Sequence, residues 1–448
     1  MVLLDLSNKL KSFFTYKKNY TIILLLAAIL LLGFVLRHDN FRTVPRHGAT
    51  FDEFAWTWLG INLIQTGVPI SWSPHPQYKE RQEIKYQGAA FLLVKPYLEH
   101  PPLFGLVAGS FAMLNGAKDM YDVTLEKIRP LALGLGILSI VFIFILVKEI
   151  YDIKIAVLSA ALYATVPTTV IGSRIVQNEN FLIPFWLLSL YFITKYLKSG
   201  KKKFRNLAAL VAGFLALAKV PWLVVGLSLS MILSYKGKWR DAFIVSGIVA
   251  VLFSFYILYG IYFDKDLFLN ILKLQTTRYD ISFSGFFSIF RDPLLVDRTY
   301  IDGWIYFGWF AILLLAREFK KHYLLLIPFV AYLILYIFAI PNEPFHGWYR
   351  YPFHSFLLVA SAIILHEEIK KISLFSLVFV LLVGLSLLNN TWQVSFGFSY
   401  PLYRLFILFA AIPVLFLLWR NKTSPGLIYS WLILFLLLNI TSVVLYTE

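Results

Sequence analysis

Residues 20–36 read YTIILLLAAILLLGFVL, an apolar run without a charged residue that follows a lysine-rich start. A helix of about 20 mostly apolar residues is long enough to cross a bilayer. The run ends in Leu36-Arg37-His38, without the small residues of a signal-peptide cleavage site, so we interpret it as an uncleaved membrane anchor. Similar apolar runs recur along the chain, and the sequence therefore predicts a polytopic membrane protein.

The composition supports this class. Of the 448 residues, 59% are hydrophobic and only 15% are charged, a balance that soluble domains do not show. The net charge of +16 would suit a nucleic-acid-binding protein, but the cations stand in short runs between apolar segments, as at 198–205, 236–240 and 317–321. Because short cytoplasmic loops retain Lys and Arg in this way, we predict no nucleic-acid partner. The absence of cysteine excludes thiolate catalysis and cysteine-bound metals.

The alternation of apolar runs and basic turns predicts an all-α protein with about thirteen transmembrane helices. We expect a multi-pass protein of the plasma membrane with its N-terminus in the cytoplasm and its C-terminus outside. Two long loops then lie outside, namely 37–130, in which we expect interfacial helices, and 264–303. The predicted spans are 20–36, 131–147, 155–171, 181–197, 206–218, 221–233, 243–263, 304–316, 323–340, 353–366, 372–388, 405–419 and 427–445.

Two carboxylates, Asp52 and Glu53, begin the polar part of the first outer loop. One interpretation is a capping box with Thr50 as N-cap and Glu53 three residues on, opening a helix whose apolar stripe lies on the membrane surface. The other is a general base at the bilayer interface. Both interpretations can be correct, because a carboxylate that takes part in helix capping is held in a fixed orientation.

Further ionisable groups recur on the predicted outer side. Glu99 and His100 precede a Pro-Pro pair suited to a helix start at Leu103, and Glu99, Asp52 and the outer histidines could supply an oxygen and nitrogen metal site. Arg174 and Glu179 form either a surface ion pair or the lining of a cavity. The other candidate site residues on the predicted outer side are His47, His75, His346, His354, Lys219, Tyr349 and Arg350.

Lys219 stands alone between two short apolar runs, so it either snorkels to the interface or binds an anionic headgroup. Arg350 offers a planar fork matched to phosphate oxygens. In the second outer loop, Tyr279, Asp280 and Asp297 are expected to influence acceptor choice, with Arg291 and Asp292. No phosphate-binding GxxxxGK[ST] loop and no HExxH zinc motif occurs.

Taken in order, these residues resemble the GT-C glycosyltransferases, in particular the group that contains protein O-mannosyltransferases and lipid-A aminoarabinose transferases. The resemblance runs over about the first 235 residues. We therefore divide the chain into a GT-C-like catalytic module, 1–235, and C-terminal transmembrane helices, 236–448. The matching segments are Asp52-Glu53, Tyr97–Leu103, Ser173-Arg174 with Glu179 in place of the usual aspartate, Gly213–Lys219 with Ala218 in place of threonine, and Tyr349–Tyr351.

The resemblance implies a polyprenyl-phosphate sugar as donor and an acceptor, either protein, lipid or glycan, at the extracytoplasmic face. Asp52 would deprotonate the acceptor for inverting attack, and Glu53 would hold or polarise the acceptor. Glu179 would be a second acid, and Glu99 would lie near a divalent metal that one branch of the group carries. The implied contacts to the lipid phosphate are His100, Arg174, Lys219, Tyr349 and Arg350.

A lipid or glycolipid transporter or flippase is the alternative function, because it would also need outward-facing cations for a phosphate. The sequence has no long intramembrane relay of acids and no pair of broken helices in matching halves, which are typical of secondary transporters.

Overall fold

The computed structural model describes residues 2–277, 287, 289–290, 294–339, 346–368, 373–393, 399–419 and 425–448; the side chains of residues 2–19 are not described. Seven helices in these ranges are long and apolar enough to cross a membrane, and four shorter helices are also apolar. Each predicted span falls mainly on a helix, although 155–171 is broken at Val166. The polytopic all-α class is confirmed, while the count of thirteen crossings stays a prediction.

Short connections join the helices between residues 125 and 277. One helical run in this stretch is interrupted at Val166, and the last helix is kinked at Asp264. The helices are α1 (Val2–His38), α2 (Asp52–Thr66), α3 (Leu103–Leu114), α4 (Leu125–Ile150), α5 (Ile153–Thr165), α6 (Pro167–Gly172), α7 (Asn178–Ser199), α8 (Lys202–Ala216), α9 (Leu223–Tyr235), α10 (Trp239–Thr277), α11 (Gly303–Leu315), α12 (Phe319–Ala339), α13 (Tyr351–Glu368), α14 (Leu374–Leu388), α15 (Tyr400–Trp419) and α16 (Pro425–Val444).

The first outer loop contains a small sheet that the sequence analysis missed. Strand β3 (Ala89–Val94) pairs antiparallel with β2 (Arg81–Tyr86) on one side and with β1 (Ser71–Trp72) on the other. The hairpin between β2 and β3 turns at Gln87 and Gly88, which both have positive φ angles, the geometry of a tight hairpin turn. The loop between α1 and α4 is therefore a folded platform and not only a set of interfacial helices.

Helix α2 is buried on all sides, so the predicted one-sided apolar stripe is wrong for it. Ten consecutive residues, from Glu53 to Asn62, are buried. The close partner is α3, because a Cβ added at Gly60 would lie 1.9 Å from the carbonyl oxygen of Gly105 and one at Gly109 would lie 2.5 Å from the Ile61 nitrogen. These glycines let two backbones approach closely and fix Asp52, at the start of α2, against the residues that precede α3.

We expect Gly60→Ala to lower the free energy of unfolding by about 1–3 kcal/mol or more, because its methyl group would overlap the α3 backbone. Thermal unfolding in detergent measures this. Gly134→Ala on α4 is the matched control, since nothing lies within 4 Å of its added Cβ and alanine is the better helix former. Equal stability of the two variants would contradict the close α2–α3 contact.

The second outer loop begins later than predicted. Helix α10 continues to Thr277, and Asp264 (φ −165°, ψ 102°) marks a kink at which its side chain accepts a hydrogen bond from the Leu267 backbone. After the kink, Phe268 packs on Tyr256, and the residues that follow approach the site described below. Of the residues expected to influence acceptor choice, Tyr279, Asp280, Arg291 and Asp292 lie outside the described residues; Asp297 is described.

The C-terminal segment contacts the first outer loop. The Arg46 backbone donates to Glu448 Oε2 at 2.6 Å, and the Arg46 guanidinium donates to Asp297 Oδ1 at 2.9 Å. Because Arg46 lies six residues before Asp52, the C-terminus, Asp297 and the acidic end of α2 are on one side of the helix bundle. The placement of this side outside the cytoplasm stays a prediction.

Candidate active site

A polar cavity of about 240 Å³ lies beside Asp52. Segments that are far apart in the sequence converge on it: the start of α2, the strand and turn after it, the residues before α3, the turn between α8 and α9, and the 3-10 turn before α13. The residues that line the cavity are Asp52, Ala55, Trp56, Trp72, Pro74, His75, Tyr97, Glu99, His100, Lys219, His346 and Tyr349.

A second, apolar groove of about 770 Å³ adjoins this cavity. The two share Glu99, His100, Lys219 and Tyr349. The rest of the groove is formed by the start of α9, the part of α10 beyond its kink, and the C-terminal half of α12, and its apolar lining includes Trp222, Leu223, Leu227, Leu272, Ala331, Ile334, Leu335 and Phe338.

Asp52 is half-buried at the first position of α2, and the buried loop before α7 holds its side chain. Its Oδ2 accepts a hydrogen bond from the Gln177 side-chain amide at 3.2 Å, and its backbone N–H donates to Thr50 Oγ1 at 3.3 Å. The predicted capping box is wrong, because the N-cap of α2 is Phe51 and no side chain caps it. Asp52 nevertheless faces the cavity, as a general base would require.

Glu53 points away from the cavity, although it was predicted to hold the acceptor. Its carboxylate, 1% exposed, accepts hydrogen bonds from Arg129 Nε (3.1 Å), from Arg129 Nη2 (2.9 Å) and from the Val176 backbone (2.9 Å). Arg129 in turn donates to the carbonyl oxygens of Phe41 and Pro45. This geometry does not fit contact with an acceptor. The Glu53–Arg129 ion pair instead joins the first outer loop, α4 and the loop before α7.

We expect Glu53→Gln to lower the free energy of unfolding by about 3–5 kcal/mol, because it leaves the Arg129 charge buried without its carboxylate. The measurement is the melting temperature of the purified protein. Glu80→Gln is the control: the Glu80–Lys95 pair (3.1 Å) is largely exposed, and surface pairs contribute about 0–1 kcal/mol. A Glu53→Gln protein as stable as the control would show that the buried pair does not hold the loop.

Lys219 is buried between a carboxylate and two aromatic rings, so the prediction that it snorkels to the interface is wrong. Its Nζ donates to Glu179 Oε1 at 2.7 Å and lies 5.4 Å and 4.9 Å from the ring centroids of Trp222 and Tyr349. Glu179 lines neither cavity, and its Oε2 has no hydrogen-bond partner in the described part of the chain. The predicted Arg174–Glu179 surface pair is therefore wrong, and Glu179 orients Lys219.

Arg174 and Arg350 were predicted to contact the donor phosphate, but neither lines the cavity or the groove. Arg174 is fully buried and donates to the Leu36 carbonyl oxygen at 2.7 Å. Burial, offset in part by the charge of Asp39, lowers the pKa of Arg174 to about 10, so it keeps its charge at neutral pH. Arg350 is buried, and its neighbour in the sequence, Tyr349, lines both the cavity and the groove. The buried contacts of Arg174 do not fit a direct role in binding the donor, whereas the phosphate contact of Arg350 stays a prediction.

Glu99 and the histidines of the cavity were predicted to offer a metal site. Glu99 Oε2 lies 3.5 Å from His75 Nε2, while His47 instead packs on Phe51. Within the described ranges, no group of three or more His, Asp or Glu side chains is placed to hold a metal ion. One oxygen and one nitrogen ligand are fewer than the three or four protein ligands typical of a zinc site. The metal at Glu99 stays a prediction, and no step below depends on it.

His100 and Tyr97 shape the cavity wall. The His100 ring lies 4.9 Å from the Trp56 ring, and His100 lines both the cavity and the groove, as a phosphate contact would require. Burial, and then the negative charge of Glu99, raises the pKa of Tyr97. The Tyr97 phenol therefore stays protonated and can donate a hydrogen bond but not serve as a base.

Arg129, Trp56 and Trp72 were not predicted as parts of the site. A signal for Arg129 was present, because it is the last cation before a long apolar run, and such a charge inside a membrane protein needs a partner. Nothing in the sequence distinguished Trp56 and Trp72 from the other tryptophans of the outer side. Their placement depends on the contact between α2 and the small sheet.

Comparison with known proteins supports the resemblance stated above. Residues 99–259 match the model of the dolichyl-phosphate-mannose-protein mannosyltransferase family. The matched range begins at Glu99 and includes Gln177, Glu179 and Lys219. No curated protein sequence shows significant similarity to the chain.

Three solved structures share the fold at low sequence identity. ArnT from Cupriavidus metallidurans bound to undecaprenyl phosphate is 15% identical with a TM-score of 0.58, over 95% of this chain and 76% of that one. The Archaeoglobus fulgidus oligosaccharyltransferase is 13% identical with a TM-score of 0.53, over 96% and 57%. The arabinosyltransferase EmbB from Mycobacterium smegmatis is 11% identical with a TM-score of 0.52, over 94% and 41%.

The chain therefore spans little more than half of the archaeal oligosaccharyltransferase and about three quarters of ArnT. The solved structures share its arrangement of helices over nearly its whole length, and the segment that matches the family model contains Lys219, which lines the cavity. The prediction made from the sequence is confirmed at the level of fold: this chain is a multi-pass membrane protein whose helices are arranged as in the GT-C glycosyltransferases of known structure.

Proposed function

We propose that this chain transfers a sugar from a polyprenyl-phosphate-linked donor to an acceptor at the extracytoplasmic face of the membrane. The observation that carries the proposal is the pair of adjoining spaces, a polar cavity beside Asp52 and an apolar groove that shares Lys219 with it. A lipid-linked sugar has the same division into a polar head and a long apolar tail. The neighbour ArnT, solved with undecaprenyl phosphate, supports a donor of this class.

In this proposal the donor lies across the boundary between the two spaces. Its polyprenyl tail occupies the groove, where Leu227, Ile334 and Phe338 are more than 40% exposed on otherwise packed helices and so face the lipid phase. Its phosphate lies near Lys219 and His100, which border both spaces. Its sugar occupies the polar cavity, where aromatic and hydrogen-bonding side chains surround it.

The chemistry follows from this placement. Asp52 accepts the proton of the acceptor hydroxyl, and the resulting oxygen attacks the anomeric carbon from the side opposite the phosphate. The new glycosidic bond forms as the bond between the anomeric carbon and the phosphate oxygen breaks, which inverts the configuration. The charge that develops on the polyprenyl phosphate is stabilised by Lys219, a cation already oriented by Glu179.

A transfer assay tests the proposal and identifies the sugar and the acceptor. Membranes that contain the protein are incubated with a panel of labelled polyprenyl-phosphate sugars and with protein, lipid and glycan acceptors. We expect the transfer of one labelled sugar with release of polyprenyl phosphate. A transporter would instead move the intact labelled lipid between leaflets of sealed vesicles without breaking the sugar–phosphate bond, and that result would contradict the proposal.

A further inference from the structure

The buried side chain of Gln177 connects the cavity wall to the carboxylate of Asp52. Gln177 is 0% exposed. Its Oε1 accepts a hydrogen bond from the Trp56 indole at 3.3 Å, and its Nε2 donates to Thr50 Oγ1 at 3.0 Å and to Asp52 Oδ2 at 3.2 Å. Trp56 and Asp52 belong to the start of α2 and Thr50 lies two residues before it, so Gln177 fixes this end of the helix.

The chemistry of Trp56 determines which way the Gln177 amide points. An indole N–H can only donate, so the group that faces it must be the amide oxygen. The amide nitrogen then faces Asp52 and can only donate to it. Within the described ranges, Asp52 Oδ1 accepts no hydrogen bond from the protein. One carboxylate oxygen is therefore held, and the other is left available.

The backbone beside Gln177 is held by the buried ion pair described above. The N–H of Val176 donates to Glu53 Oε1 at 2.9 Å, and Arg129 binds both oxygens of Glu53. Glu53 is the residue next to Asp52 in the sequence, and Val176 is the residue next to Gln177. The two consecutive acids thus make parallel contacts to two consecutive residues of the loop before α7, one to the backbone and one to a side chain.

We propose that Gln177 is a positioning residue for the transfer reaction: it holds Asp52 Oδ2 and presents Oδ1 to the acceptor hydroxyl. A fixed carboxylate need not be reoriented during the reaction. This inference rests on the proposed function, because it assigns a role to Gln177 only if Asp52 is the base.

Other charged and titratable groups line the same cavity as Asp52. Glu53 is close in sequence, but its charge is compensated by Arg129. The charged and titratable groups around the cavity are His75, Tyr97, Glu99, His100, Lys219 and His346.

Gln177→Glu is the test, measured as the pH dependence of kcat/KM for sugar transfer. The new carboxylate can still accept from Trp56, but its second oxygen faces Asp52, and two adjoining carboxylates retain a shared proton to higher pH. We expect the acid limb of the profile to move up by about one pH unit or more. Gln82→Glu is the control, because it adds a carboxylate at an exposed position on β2 of the first outer loop, and it should not move this limb.

Gln177→Met provides a second measurement without a new charge. It removes the hydrogen bonds at similar side-chain length, so we expect kcat to fall by roughly tenfold to a hundredfold with little change in the KM for the donor. A folded Gln177→Glu protein whose acid limb stays in place would overturn the inference. If that variant does not fold, a Gln177→Met enzyme with wild-type kcat overturns it instead.

The Asp52→Asn variant separates this inference from the proposed function. If Asp52→Asn still transfers sugar at the wild-type rate, Asp52 is not the base and the proposed function fails in its mechanism. If Asp52→Asn is inactive while Gln177→Glu and Gln177→Met behave as wild type, only the role of Gln177 is wrong.

Discussion

Asp52→Asn is expected to lower the turnover of sugar transfer by about a hundredfold to ten-thousandfold, the usual contribution of a positioned general base. The amide has nearly the shape of the carboxylate but cannot accept the acceptor's proton. The donor contacts at Lys219 and His100 and the apolar groove are unchanged, so donor binding should remain close to that of the wild type. The loss should therefore appear in kcat and not in the KM for the donor.

Glu83→Gln is the control for this variant, because Glu83 is an exposed carboxylate on β2 of the same outer loop. It should leave transfer and binding unchanged. Turnover by Asp52→Asn at the wild-type rate would refute the assignment of the base. Equal loss of binding and turnover would instead mean that Asp52 contacts the donor and does not act in the chemical step.

Lys219→Met is expected to have the second large effect, the loss of donor binding. Lys219 is the buried cation that borders both the polar cavity and the apolar groove, and a hydrogen bond to an ionised group is worth about 1.5–3 kcal/mol. The apparent donor affinity should therefore fall by roughly tenfold to a hundredfold. The variant should also be less stable by about 3–5 kcal/mol, because Glu179 would keep a buried charge without its partner.

The double variant Lys219→Met with Glu179→Gln distinguishes binding from folding. It removes both members of the buried pair, and replacement of such a pair by uncharged groups is often tolerated. We expect its melting temperature to recover towards that of the wild type while donor binding stays weak. Recovery of donor binding together with stability would mean that Lys219 serves only the fold. Lys195→Met is a control with little expected effect, because Lys195 is partly exposed and pairs with Glu149 at 2.7 Å.

The membrane class and the helix positions could be predicted because apolar runs and basic turns are local signals. The turn at Lys219 between α8 and α9 and the start of α3 after Pro102 were both predicted correctly. The small sheet was not, since strands β1 and β2 pair with β3 through contacts that depend on the folding of the whole loop. The extension of α10 past Asp264 was also missed, because the kink residue is polar and resembles a loop start.

The candidate site residues form two groups: those that line the cavity and those that are buried against protein partners. Asp52, His100, Lys219 and Tyr349 were named from the sequence, and the structure brings them to one cavity. Glu53, Arg174 and Glu179 were assigned contacts to substrate, yet they are buried among protein partners. A charged residue next to a motif has the same sequence signal whether it faces a substrate or an ion-pair partner. The partner, such as Arg129 for Glu53, lies 76 positions away and only folding brings it near.

The central claim is that one lipid-linked donor lies with its sugar beside Asp52 and its tail in the groove behind Lys219. Photocrosslinking with two versions of the same polyprenyl-phosphate sugar tests it most directly, one with the reactive group on the sugar and one with it on the tail. We predict that the sugar probe labels segments 52–56 and 72–75, and that the tail probe labels 223–227 and 331–338, with both signals lost in the Lys219→Met and Glu179→Gln double variant. Labelling of the basic turns at 201–205 and 236–240, unaffected by that variant, would contradict the account.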